Sequence, residues 1–173
     1  MPQIIAKEIL VGQGDSAQNL IPDCHRIRKE VFHLEQKFPL DTEFDDVEHI
    51  AFHFLLQVTE LDPSTGETTK KYVGTIRGTT PEIYPAINRY KLSRLAIDKD
   101  YRNFKFGRLL VDRLHEWVKA DAKAMNRPPV IECHSQIPAM GFYAKFGYTP
   151  EGERFDEDGE PHQNMVVTLP LSE

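Results

Sequence analysis
Cysteine is scarce in this chain: Cys24 and Cys133 are the only two among 173 residues. Their spacing matches no metal-ligand motif, and a disulfide framework needs more of them. No apolar run approaches the ~20 residues of a membrane span, and no signal-peptide pattern opens the sequence. Positive charge is also short. Twenty-one Lys and Arg against 27 Asp and Glu leave a net charge of −6, which argues against a nucleic-acid footprint. The Gly-x-Gly-x-x-Gly and Gly-Lys-Ser/Thr signatures are missing, which disfavours an unrelated nucleotide-binding α/β domain. Repeats, low-complexity tracts and an interdomain linker are absent too. What these gaps leave is an ordinary globular chain, 40% apolar and 10% aromatic, long enough to bury a substantial core. The expectation is one domain over residues 1–173, reduced and cytoplasmic, with no metal, membrane or nucleic-acid partner.

What is present centres on Tyr101-Arg-Asn-Phe-Lys-Phe-Gly-Arg-Leu-Leu110. Upstream, Lys91–Ile97 reads as a compact apolar strand ended by Asp98-Lys99-Asp100. Downstream, Leu110, Leu114, Trp117, Val118, Ala122 and Met125 recur at helical spacing, so a helix opens near Gly107. A helix start presents unpaired N–H groups at the positive end of its dipole. Arg102, Lys105 and Arg108 crowd that mouth, and Gly107 lets a ligand approach the backbone. Such a turn suits a pyrophosphate.

Around this centre the chain reads as alternating short elements. Ile4–Val11 is a strand, and a helical region starts at Asp15 or Ser16 with a second start at Pro22-Asp23. Ile27, Val31, Phe32 and Leu34 give an apolar face, followed by an acidic loop at 41–48. His49–Glu60 and Lys71–Thr79 are strands around the turn Asp62-Pro-Ser-Thr-Gly66. After the central helix, Val130–His134 is a strand. Ala139–Phe146 is a short helix stopped by Gly147. Phe155 and Val166–Leu169 mark closing strands around a turn at 156–159. A strand-helix-strand centre demands a parallel pair. The fold class is α/β, a mixed and mostly antiparallel sheet flanked by helices.

Arg102-x-x-Lys105-x-Gly107 resembles the Arg/Gln-x-x-Gly-x-Gly/Ala coenzyme A loop of the GNAT superfamily of N-acetyltransferases, and it lies where that family has it. Lys105 stands where most members carry glycine, and the ElaA-like subgroup has a similar lysine. Val31-Phe-His-Leu-Glu-Gln36, the acidic loop, and Phe155-Asp-Glu-Asp-Gly-Glu-Pro-His162 with Met165 also look like that subgroup. The resemblance covers residues 25–169. It implies the GNAT fold, in which two central parallel strands splay apart around acyl-CoA. It implies direct transfer from acetyl-CoA, the co-substrate, to a primary amine in a ternary complex, and homodimers are common in the superfamily. Carried onto this chain, the pyrophosphate meets Arg102, Asn103, Phe104, Lys105, Phe106, Gly107 and Arg108. The pantetheine arm follows the main chain of Leu95, Ala96 and Ile97. Tyr143, in a segment similar to the family's Tyr-x-x-x-Gly-Phe, protonates the leaving thiolate.

The base that accepts the amine's proton stays open among His134, Glu35, Glu132, His162 and a chain of waters. Gln136 and Glu35 are candidate acceptor contacts. The acidic clusters at 41–48 and 151–160, if they flank the acceptor end, favour a cationic amine. Cys133 reads as a small buried apolar residue. The rival function is an acyl-CoA-binding module without transfer activity, which would keep the loop and lose the acid.

Overall fold
The computed structural model describes residues 2–43 and 45–171, so Phe44 of the acidic loop lies outside the described residues. The chain forms β1 (Gln3–Gln13), α1 (Ile21–Arg28) running into a π-helical stretch at Lys29–Glu35, β2 (Phe52–Leu61) and β3 (Thr68–Thr79). Then come β4 (Tyr90–Ile97), α2 (Phe106–Met125), β5 (Val130–Gln136), α3 (Met140–Ala144), β6 (Thr149–Pro150), β7 (Phe155–Glu157) and β8 (Glu160–Thr168). The strands hydrogen-bond in the order β1-β2-β3-β4-β5-β8-β6, with β7 on β8. β1 with β2, and β6, β7 and β5 with β8, are antiparallel, while β4 and β5 are parallel. The long crossover through α2 requires that parallel pair. The architecture is an open mixed sheet of eight strands among the described residues, flanked by helices.

The chain groups into two compact units. One comprises the residues up to Arg77 together with Arg94–Arg113; the other comprises Gly78–Ser93 and the residues from Leu114 onward.

In the first unit, Cys24, Ile27 and Val31 recur at three- and four-residue spacing, so they share one helical face. That face packs on Leu55 of β2 and Ala96 of β4. Gly74 permits a close approach here, since a Cβ at this position would lie 2.8 Å from Ile97 Cδ1 and 3.1 Å from Leu110 Cδ1. In the second unit Leu114, Val118 and Ala122 of α2 are buried, with Tyr90, Ile131 and Met165. Trp117 meets Tyr90 edge-on at 5.8 Å. It also sits over Gly78, where a Cβ would come within 2.6 Å of the indole.

The elements follow the apolar periodicity, with instructive exceptions. Residues 49–51 turn before β2 begins, with Ala51 N–H donating to Val47 O at 2.9 Å, because Glu48 is drawn into an ion network. The expected start at Asp15 or Ser16 is a single 3-10 turn, Gly14–Ala17. α3 covers only Met140–Ala144, and Gly147 takes φ +93 beyond it. β8 begins six residues before Val166, because Asp158 and Gly159 both adopt positive φ. Two such residues make the tight turn that suits hairpin twist, and it carries polar residues into the ladder.

Candidate active site
In the first unit, the strand-turn-helix stretch has the expected layout. A 3-10 turn at Lys99–Phe104 follows β4, capped by Asp98, whose side chain accepts from Asp100 N–H at 3.0 Å. Lys105 then adopts φ +59 and α2 starts at Phe106. The left-handed conformation explains the family preference for glycine at this position; lysine accepts it at a cost of about 1–2 kcal/mol. The first helical bond closes from Leu109 N–H to Lys105 O at 3.3 Å. The amides before Leu109 have no partner within the helix. Lys105 is exposed and makes no ion pair among the described residues, while Arg108 makes only a loose 3.9 Å contact with Asp112.

Arg102 is already engaged. Its guanidinium grips Glu35 at 2.5 and 2.7 Å and donates twice to Ile97 O at 3.1 Å. Those hydrogen bonds hold the Glu35 carboxyl below its usual range, which weakens it as a base. The π-helical widening of Lys29–Glu35 delivers Glu35 to this contact, and such segments are frequent at functional sites.

Within β4, Arg94 takes φ +54, a left-handed residue inside a strand. Beyond it Leu95, Ala96 and Ile97 continue toward the turn. The strain is held by an ion network. Arg94 donates to Thr42 O at 3.2 Å and pairs with Asp45 and Glu43. Arg28, fully buried, binds Glu43 and meets Glu48 at 3.0 Å, and Arg77 reaches Asp45 at 2.8 Å and Glu48 at 2.7 Å. Burial alone would raise the Glu48 carboxyl, yet His25, Arg28 and Arg77 hold it far below the usual range. Three of the five carboxylates in the acidic loop are therefore offset locally, which reduces the pull on a cationic acceptor.

In the second unit, the parallel ladder is short: Tyr90, Lys91 and Leu92 oppose Ile131, Glu132 and Cys133. Both strands continue past that ladder, to Ile97 and to Gln136. Cys133 is buried, and burial followed by the charge of Glu132 pushes its thiol up to about 12. A thiol held neutral in this way is no nucleophile. Tyr143 of α3 is also buried, and burial together with Cys133 pushes its phenol well above the ordinary range. Its neighbour Tyr148 is bonded to His115 Nε2 at 2.8 Å. The Tyr143 hydroxyl, in contrast, has no hydrogen-bond partner among the described residues. A protonated, nearly enclosed and unpaired hydroxyl is poised to donate to an incoming group.

His134 comes one residue after Cys133, so its side chain leaves the opposite face of β5. Its Nδ1 lies 2.8 Å from Glu157 Oε1. Glu132 is buried and tied to Asn164 at 3.0 Å and Arg89 at 3.6 Å. His162 Nδ1 bonds Glu160 O at 2.8 Å. Tyr143 and His134 thus belong to the second unit and Glu35 to the first. Glu157 and Arg94 escaped the sequence reading. Glu157 was hidden in a charge run that looks like a solvated turn; no periodicity marks a left-handed strand residue. No group of three or more His, Cys, Asp and Glu among the described residues is arranged to hold a metal, and no described helix is long and apolar enough to cross a membrane.

A strand-turn-helix mouth of this kind, on this sheet order, is the frame of acyl transferases that use coenzyme A. The chain belongs to the GNAT acetyltransferase family, whose model, described as "Acetyltransferase (GNAT) domain", matches residues 66–169. It is 34% identical to a Bacillus subtilis (strain 168) protein named "Putative acetyltransferase", over 81% of this chain and 84% of that one. Solved structures with the same fold include an acyl-CoA N-acyltransferase from Pseudomonas aeruginosa, with a TM-score of 0.69 at 18% identity, covering 92% of this chain and 98% of that one. Escherichia coli ElaA is another, with a TM-score of 0.67 at 21% identity and coverage of 93% and 99%. At these identities the structural likeness is one of fold. The superfamily expected from the Arg102–Gly107 loop is thereby the family of the chain.

Proposed function
We propose that the protein transfers the acetyl group of acetyl-CoA to a primary amine, directly and within a ternary complex. The amine nitrogen attacks the thioester carbonyl, the C–S bond breaks, and coenzyme A leaves as the thiol. The observation that carries this reading is the Tyr143 hydroxyl beside β5, protonated, carried by a buried residue and without a hydrogen-bond partner among the described residues. It serves as donor to the departing sulfur, while the proton lost by the amine passes to His134. In this reading the pyrophosphate rests on the amides of residues 102–107, with Lys105, which makes no ion pair among the described residues, and Arg102 and Arg108 beside it. The amides of Leu95–Ile97 bind the pantetheine arm as an added strand and face the oxyanion. The Ile97 carbonyl, already held by Arg102, contributes nothing to that pairing. Glu35 acts through Arg102 rather than as a base.

Titration calorimetry with acetyl-CoA against ATP and NAD tests the binding half. Thiol release with a panel of amines, corrected for hydrolysis, tests transfer. Binding without amine-dependent release would leave an acyl-CoA-binding module and sink the transferase reading.

A further inference from the structure
We propose that Glu157 is a positioning residue that holds His134 in the one tautomer able to act as general base. The inference rests on the transfer reading above, because only there does a base have a proton to accept.

The geometry starts from what a carboxylate can do. The hydrogen bond from His134, working against burial, keeps the Glu157 carboxyl below its usual range, so the group is ionised and accepts only. The 2.8 Å contact is made by His134 Nδ1, so Nδ1 carries the hydrogen. In the neutral ring, Nε2 is then the bare nitrogen. No described group bonds Nε2, and the His134 side chain is 26% exposed. The ring is fixed in plane by a hydrogen bond at one end and by Phe155 edge-on at 5.0 Å.

Both clamping residues come from β7, which the tight turn at Asp158-Gly159 folds back on β8 with Phe155 opposite His162 and Glu157 opposite Glu160. On β5, Cys133 is the last residue laddered to β4, opposite Leu92. His134 is thus the first residue beyond that ladder. A base oriented by a third group is the arrangement that activates acceptor nucleophiles generally. Position, exposure and tautomer agree on the same nitrogen.

The other polar groups around the pair leave this arrangement intact. His162 Nδ1 must donate to Glu160 O, since a carbonyl only accepts, and its Nε2 stands 3.7 Å from Glu157 Oε2, beyond hydrogen-bond range. Lys91 of β4 adds positive charge toward Glu157. Asn164, opposite His134 in the β5–β8 register, is turned to Glu132.

Long-range 15N–1H NMR of the full chain, recorded where imidazole is neutral, reads the tautomer without any substrate. His134 is expected as Nδ1–H in the wild type and as Nε2–H in Glu157→Leu. In thiol-release kinetics Glu157→Gln should lower kcat about tenfold or more with KM for acetyl-CoA unchanged, Glu157→Asp should recover part of the loss, and His134→Gln should lower kcat at least as far. An Nε2–H ring in the wild type overturns the inference. So does a Glu157→Gln enzyme with full kcat, or a His134→Gln enzyme with full kcat. The transfer reading fails separately, if wild-type protein releases no thiol with any amine; an Nδ1–H ring would then mark Glu157 and His134 as a structural pair and overturn the catalytic assignment too.

Discussion

The buried ion network of the first unit and the polar groups around β5 in the second make opposite use of the same chemistry. Arg28, Arg77 and Arg94 face Glu43, Asp45 and Glu48, and nearly every donor finds an acceptor. Around β5, the Tyr143 hydroxyl and His134 Nε2 find none among the described residues. A satisfied network orders the chain; an unsatisfied one is ready for a ligand. The first set holds a left-handed arginine in a strand, and the second supplies the donor and the acceptor that the proposed transfer calls for.

The sharpest way to break the contrast is Tyr143→Phe. It removes only an unpaired hydroxyl, so stability and acetyl-CoA affinity should hold while kcat falls by about 10²-fold or more. Stopped-flow thiol release beside thermal unfolding checks this, and an unchanged rate would strip Tyr143 of its role. The mirror experiment is Arg28→Met, which takes from buried Glu43 its nearest partner and from Glu48 one of its three, leaving Arg94 on the first and Arg77 and His25 on the second. Stability should drop by about 3–5 kcal/mol in urea titration; a loss below about 1 kcal/mol would mean the network is screened like a surface pair.

Acid should weaken the first region. The folded carboxyls of Glu48 and Asp45 are held below their ordinary range, so their stabilisation is complete above the unfolded values near about 4. It is lost as pH falls through the folded values. Tm measured from pH 6 downward should decline below about pH 4, and less steeply in Arg77→Met, whose carboxyls lose the partner that depressed them.

The smallest effect concerns Glu35. Freeing Arg102 with Glu35→Gln should tighten coenzyme A binding by no more than about fivefold, since the pair is exposed and worth about 1 kcal/mol at most. Weaker binding in calorimetry would show that Glu35 steers Arg102 toward the ligand instead of competing for it.

Much of the frame was legible in the residues. Apolar spacing placed β4, α2 and β5 to within a residue or two, and the basic cluster at the helix mouth was found by charge and glycine alone. Lys105 marked a departure from the family loop, and its φ of +59 shows why glycine is usual there. The acidic loop was legible as a cluster but not as a network. Its three partners, Arg28, Arg77 and Arg94, lie far apart in sequence and carry no common spacing. Glu157 was hidden for the same reason, as one acid among several in a hairpin turn.

By itself the sequence determined the order of strands and helices, the parallel crossover and the anion-seeking start of α2. Those features depend on periodicity and on backbone groups that every helix start exposes. Only the tertiary structure decided which polar groups are spent and which are left over: Arg102 on Glu35, Glu157 on His134, and, among the described residues, nothing on the Tyr143 hydroxyl. Hydrogen bonding is settled by atoms brought within about 3 Å of one another, and that proximity is created by folding, between residues that the chain order keeps apart.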